Sequence, residues 1–233
     1  MAANGNGNIF LLDANGDFDT DLNSAGFPRD ADFGNAFLKL STKGGLALAD
    51  YFEMENEQQE NNSDTDLGSG GALLLPPMKD SSGNIWQLAA GAGKDSNLYI
   101  VNCNSMGKSN PSGNIIYQEL VGVLPSGIWS MPAFFQGNLY FGPVGQTILA
   151  FQFKNTQLSP AAVAQTSNRF GYPGATPSVS ANNGQNGLSG LPRTPILPFY
   201  TLTMPRTYRS YITATRRRTG AITLGPATNS SPR

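Results

Sequence analysis

Histidine is missing from this chain of 233 residues, and there is a single cysteine, Cys103. The first absence removes the commonest general base and the commonest transition-metal ligand together. The second excludes an internal disulfide. Charged residues are scarce, at 13%. No apolar run approaches the ~20 residues of a membrane helix, since Ala72-Leu73-Leu74-Leu75 stops at Pro76-Pro77; no membrane span is predicted. The opening Met-Ala-Ala-Asn-Gly-Asn-Gly has neither the basic nor the apolar segment of a secretory signal. Acidic residues end at Glu119, and residues 188–233 hold seven Arg, no Lys and no acid. Residues 1–187 carry eight basic and sixteen acidic residues, a charge of −8 that argues against a nucleic-acid partner.

What is present in quantity is glycine, at 27, with 16 prolines, the composition of a turn-rich β protein. A short cassette recurs as Gly7-Asn8-Ile9-Phe10, Gly83-Asn84-Ile85-Trp86 and Gly137-Asn138-Leu139-Tyr140. Each pairs a turn that tolerates positive φ with alternating bulky residues suited to a pleated strand. Period-two patterning predicts strands in groups. The first group is Asn8–Leu12, Ala36–Leu40 and Leu46–Phe52. The second is Gly71–Leu75, Ile85–Ala89, Asn97–Asn102 and Ile115–Val123. Ile128–Phe135, Asn138–Phe141, Ile148–Phe153 and Ala162–Asn168 form the third, and Ala175–Ala181 begins a fourth. The expectation is an all-β chain, a partial β-propeller of four-stranded antiparallel blades: about three blades, the first without an innermost strand before Gly7, and the start of a fourth.

The segment Gly83–Asn102, reading GNIWQLAAGAGKDSNLYIVN, resembles the quinoprotein-type repeat, in which a Gly-x-Ile-aromatic strand, a Gly-rich turn and a Leu-Tyr strand follow one another. Asp64–Gly71 (DTDLGSGG), Gly91–Asp95 (GAGKD) and Phe170–Pro177 (FGYPGATP) are similar to strings of a bacterial family of pyrroloquinoline-quinone-repeat-like propellers. The resemblance covers about residues 4–187 and implies a propeller fold with an extracytoplasmic parent. Because propellers host unrelated activities, it does not imply one reaction. In quinone-dependent dehydrogenases of this type a catalytic Asp, calcium ligands and a stacked cofactor are spread around a complete ring, and none of those motifs matches here residue by residue.

Residues Asp13, Asn15, Asp17, Asp19 and Asp21 place oxygen side chains at every second position, which makes them the candidate ligands for a hard cation such as Ca²⁺. The EF-hand spacing fails, as Ser24 stands where a bidentate Glu is required. The simpler reading is an Asn-Gly turn in a solvated acidic loop. Asp64 and Asp66 are expected to accept backbone amide hydrogen bonds rather than to catalyse. Gly91-Ala92-Gly93-Lys94 is no phosphate loop, since Leu88 and Asp95 occupy the positions of its first Gly and its Ser or Thr. No Gly-x-Ser-x-Gly elbow occurs. No catalytic residue is nominated.

Residues 188–233 read as a separate tail. A displaced reading frame allows Leu188–Leu191 to read Val-Trp-Ala and Leu197–Pro205 to read Ala-Val-Leu-His-Ala-Tyr-Asp-Ala when the free first bases of the shifted codons are chosen to suit, with Phe199–Tyr200 forcing Leu and Met204–Pro205 forcing Ala; these are strands of the kind the fourth blade lacks. The tail is therefore expected to be a frame-displaced segment without stable packing, following a domain at 1–187. The function expected is a non-catalytic structural or binding scaffold. Its alternatives are a fragment of a pyrroloquinoline-quinone-dependent dehydrogenase, and a carbohydrate- or protein-binding propeller using the long loops 14–35 and 53–66.

Overall fold

A computed structural model describes the backbone of residues 1–182 and 185–190, and the side chains as far as Val179. Among the described residues the chain folds as successive antiparallel meanders. The first sheet comprises β1 (Ala2–Ala3), β2 (Asn8–Leu12), β3 (Phe37–Ser41) and β4 (Ala47–Phe52), in that order. A short helix α1 (Glu57–Ser63) and a 3₁₀ turn at Leu67–Ser69 lead to β5 (Leu73–Leu74). A two-stranded ribbon of β6 (Met78–Lys79) and β7 (Ile85–Trp86) follows, then β8 (Leu88–Gly91), β9 (Leu98–Asn102) and β10 (Gln118–Leu120). The second sheet runs β5-β8-β9-β10. The third runs β11 (Ala133–Phe135), β12 (Asn138–Phe141), β13 (Leu149–Lys154), β14 (Gln157–Leu158), with β15 (Ala164–Gln165) also on β13. β16 (Ser178–Asn182) and β17 (Gln185–Gly190) form a final hairpin.

The Gly-Asn cassettes sit where the sequence predicts, with Gly7, Gly83 and Gly137 at φ of 76°, 92° and 75°. Two of them share one mechanism. Asn4 Oδ1 accepts from the amides of Asn6 and Asn8, and Asp80 Oδ1 accepts from those of Ser82 and Asn84, so a side chain four residues upstream shapes each turn. In the third, Gln136 at φ 46° and Gly137 close a tight hairpin between β11 and β12.

The second sheet is buried on both faces, which follows from its uninterrupted apolar strands. Leu88, Ala90, Leu98 and Ile100 share a core with Leu139, Phe141 and Phe151 of the third sheet. Their alternating neighbours Ala89, Tyr99 and Val101 share another with Phe10, Phe37 and Phe52 of the first. A third core joins Tyr140 and Ala150 to Ala175 and Val179.

Several expectations need correction. The first sheet does have a strand before Gly7, an edge strand in which Ala2 and Ala3 pair with Phe10 and Ile9. The predicted strand Ile85–Ala89 breaks at Gln87, its first part pairing in the ribbon with β6 and its second in the main sheet. Ile128–Phe135 is extended strand only over Ala133–Phe135: Ile128 is buried, but Pro132 has no N–H to give a ladder. The loop 53–66 contains α1. β17 extends to Gly190; of the expected tail, residues 191–233 lie outside the described residues.

Candidate functional site

At the end of the first two sheets where loops 13–35, 53–66 and 91–96 meet, the motif strings interlock. Lys94 Nζ lies 2.6 Å from Asp64 Oδ1 and 2.6 Å from Asp66 Oδ1, and its amide donates to the Asp66 carbonyl at 3.0 Å. Asp66 Oδ2 accepts from the Ser69 amide at 3.1 Å, capping the 3₁₀ turn in the role expected from sequence. The Lys94 ammonium holds the exposed Asp64 carboxyl below its ordinary range. One residue on, the Asp95 carboxylate accepts from the Tyr99 hydroxyl at 2.5 Å, while burial pushes its pKa up to about 6.

Beside this network lies an unpaired pair. Glu53, directly after β4, is 1% exposed, and neither carboxylate oxygen has a hydrogen-bond partner among the described residues. Glu57, the first residue of α1, is 8% exposed, and its Oε1 is likewise unpartnered. Burial raises both, Glu53 well above the carboxylate range. Glu53, the deeper of the two, also feels the charges of Glu57 and Asp13, with only the nearby Met54 amide opposing; Glu57 feels Asp17. Glu60 is satisfied differently, by Asn56 Nδ2 at 2.7 Å and the Thr65 hydroxyl.

The candidate cation ligands divide. Asp19 is drawn to the far side of its loop, Oδ1 accepting from the Asp21 amide at 2.8 Å and Oδ2 from the Asp30 amide at 3.0 Å. Asp21 pairs with Arg29 at 3.2 Å. Asn15 Nδ2 donates to Asp64 Oδ1 at 2.8 Å. Asp13 and Asp17 instead bring their charges toward Glu53 and Glu57. Among the described residues, no three Asp, Glu, His or Cys side chains stand close enough to hold a metal ion as they are. Sequence reasoning missed Glu53 and Glu57, because a Glu at a strand end or in a polar helix ordinarily faces water.

Two recesses lie elsewhere on the surface of the described residues. One, of about 380 Å³, is lined by Trp86, Tyr117, Asn102, Ser105 and the Asp50–Lys108 ion pair. The Trp86 and Tyr117 rings lie 4.7 Å apart. Both are anchored, the indole N–H donating to Asp80 Oδ2 at 2.9 Å and the Tyr117 hydroxyl bonding Thr156 Oγ1 at 2.5 Å. That indole, with Asn84, holds Asp80 down at about 2. The second recess, of about 420 Å³, is lined by Asn4, Asn6, Asn8, Gln87 and Asn104, with Lys39 Nζ tied to the Cys103 carbonyl at 2.8 Å. Loop 14–35 is packed down by Phe18, Phe27 and Phe33 around Tyr51, whose hydroxyl donates to the Gly26 carbonyl at 2.7 Å. No helix among the described residues is long and apolar enough to cross a membrane.

Comparison with family models, with curated proteins and with solved structures gives no match.

Proposed function

We propose that the meanders are successive blades of a partial β-propeller of the quinoprotein-repeat type, and that the chain is a non-catalytic binding scaffold whose recess at Trp86 and Tyr117 takes a sugar ring. Support for the blade reading comes from the stacking of each sheet on the next in chain order, through cores that both share. A repeated stitch adds to it: the Ile128 amide donates to the Gly93 carbonyl at 2.8 Å, and the Ala175 amide to the Gly142 carbonyl at 3.0 Å. In both, the residue entering a new sheet is bonded to the end of the preceding sheet's second strand.

The observation that carries the binding reading is the anchored aromatic pair over a recess with a polar wall. Pyranose rings present an apolar C–H face and a hydroxyl rim. Two rings held in place by their polar atoms offer the first a surface at little entropic cost. Asn102, Ser105 and Asp50 offer the hydroxyls amide, alcohol and carboxylate partners. The recess volume falls in the range of small-ligand pockets, ~300–1,000 Å³. A non-catalytic role is favoured by the absence of histidine from the sequence and by the confinement of the unpartnered acid Glu53 at 1% exposure.

Titration with soluble oligosaccharides, followed by tryptophan fluorescence, tests the reading. A saturable change is expected, weakened roughly ten-fold or more in Tyr117→Ala, which leaves the Trp86 reporter in place. The same protein supplied with pyrroloquinoline quinone, Ca²⁺ and an artificial electron acceptor is expected to oxidise neither alcohols nor sugars. Turnover in that assay would replace the scaffold with the dehydrogenase reading, and no saturable response to any oligosaccharide would remove the sugar site.

A further inference from the structure

We infer that Glu53 and Glu57 are the two direct carboxylate ligands of a divalent-cation site, of the Ca²⁺ class, with Asp13 and Asp17 supplying the surrounding negative charge. The inference does not depend on the blade reading or on the sugar recess. It starts from three buried oxygens, Glu53 Oε1, Glu53 Oε2 and Glu57 Oε1, that have no hydrogen-bond partner among the described residues. Buried carboxylates in native proteins are almost always paired, and one that is not calls for an ion, a water or a proton. Among the described residues, the charged groups that act on these two are acidic throughout: Glu57 and Asp13 on Glu53, and Asp17 on Glu57. The nearby cations are committed elsewhere, Lys94 to Asp64 and Asp66, and Lys108 to Asp50. Four acids with no cation among the described residues to offset them are a cost that a bound divalent ion relieves.

Oxygen-only ligands and an unbuilt, adaptable geometry suit Ca²⁺ better than a transition metal or Mg²⁺. Calcium fills ~6–8 positions, and backbone carbonyls and waters take those that two carboxylates leave. The loop holding Asp13 and Asp17 is also joined to the helix end: the Gly16 amide donates to Asn61 Oδ1 at 3.1 Å, and Asn15 reaches Asp64 at 2.8 Å. An ion at Glu57 therefore ties the acidic loop, β4 and α1 together.

Calorimetric titration of the full chain with CaCl₂ at neutral pH, after chelation and desalting, tests the site. One Ca²⁺ per chain is expected, with a Kd of roughly 10⁻⁵–10⁻³ M. Glu53→Gln and Glu57→Gln should each weaken it about ten-fold or more, and Asp19→Asn with Asp21→Asn less than about two-fold. Far-ultraviolet circular dichroism checks that each variant is folded, and either glutamate variant alone is sufficient. Absence of calcium binding by the unaltered chain overturns the inference. So does binding that survives both Gln substitutions, or that is lost instead with Asp19 and Asp21.

Discussion

At the scale of single residues, opposing shifts in carboxyl ionisation set the pH dependence of stability. Burial pushes Asp95 up to about 6 and raises Glu53 and Glu57. The folded chain then holds protons that the unfolded chain has released, so the stability these groups confer is full below the ordinary carboxyl value and is lost as pH rises through the folded values. Asp64 is held low by Lys94, and Asp80 is held at about 2 by Trp86 and Asn84. Their contribution has the opposite sign: present above the ordinary carboxyl value, lost as pH falls through the folded one. In calcium-free buffer the Tm should therefore peak near pH ~4 and fall toward neutrality, and Asp95→Asn with Glu53→Gln should flatten that fall. Thermal melts across pH check this, and a Tm that climbs steadily to pH 7 would refute it. Little of this was legible beforehand. Asp13 and Asp17 stood out by their alternation, but Glu53 and Glu57 belong to the same place only through the fold, and no local pattern marks a glutamate that will be buried.

Between elements, the density of glycine in the motif strings has a steric cause. A Cβ on Gly70 would stand 1.8 Å from the Ala92 carbonyl oxygen, because the exit of the 3₁₀ turn crosses the strand end of the neighbouring hairpin at backbone contact. Gly93 is pressed in the same way, 2.4 Å from the Asp66 carbonyl. Since the obstacle is backbone, it cannot rotate aside. Gly70→Ala should cost about 2–3 kcal/mol or more in chemical denaturation, the range of overpacked sites. Gly171→Ala, where no atom of the described residues lies within 4 Å, should change stability by less than ~0.5 kcal/mol. Equal effects at the two positions would show that the crossing is not tight. The strands themselves were the most legible elements: Asn8–Leu12 and Asn138–Phe141 match their predicted bounds. Their alternation and their turns agree, leaving one solution. Where an apolar run marks burial rather than pairing, as from Ile128 to Met131, patterning overstates the strand, and α1 was missed because its sequence, Glu57–Ser63, has no apolar stripe at helical spacing.

At the scale of the molecule, the arrangement rests on a second sheet enclosed between the first and third. Its strands contribute alternate residues to two different cores, Leu88 and Ala90 to one, Ala89 to the other. Close approach confirms the contact on the first-sheet side, where a Cβ on Gly91 would meet Leu12 and Phe37 side-chain carbons at 2.9 Å. A strand protected on both faces and hydrogen-bonded along both edges opens only when the surrounding structure opens, so it exchanges its amide hydrogens with the free energy of the largest unfolding unit. Native-state hydrogen exchange, resolved by residue, is the most direct measurement of this stacked order. The amides of Leu88–Gly91 and Leu98–Asn102 should exchange slowest, with β1 and β14 faster by orders of magnitude. Exchange of the second sheet at rates equal to or above those of the first and third would mean that it is not enclosed between them, and the blade arrangement would be wrong.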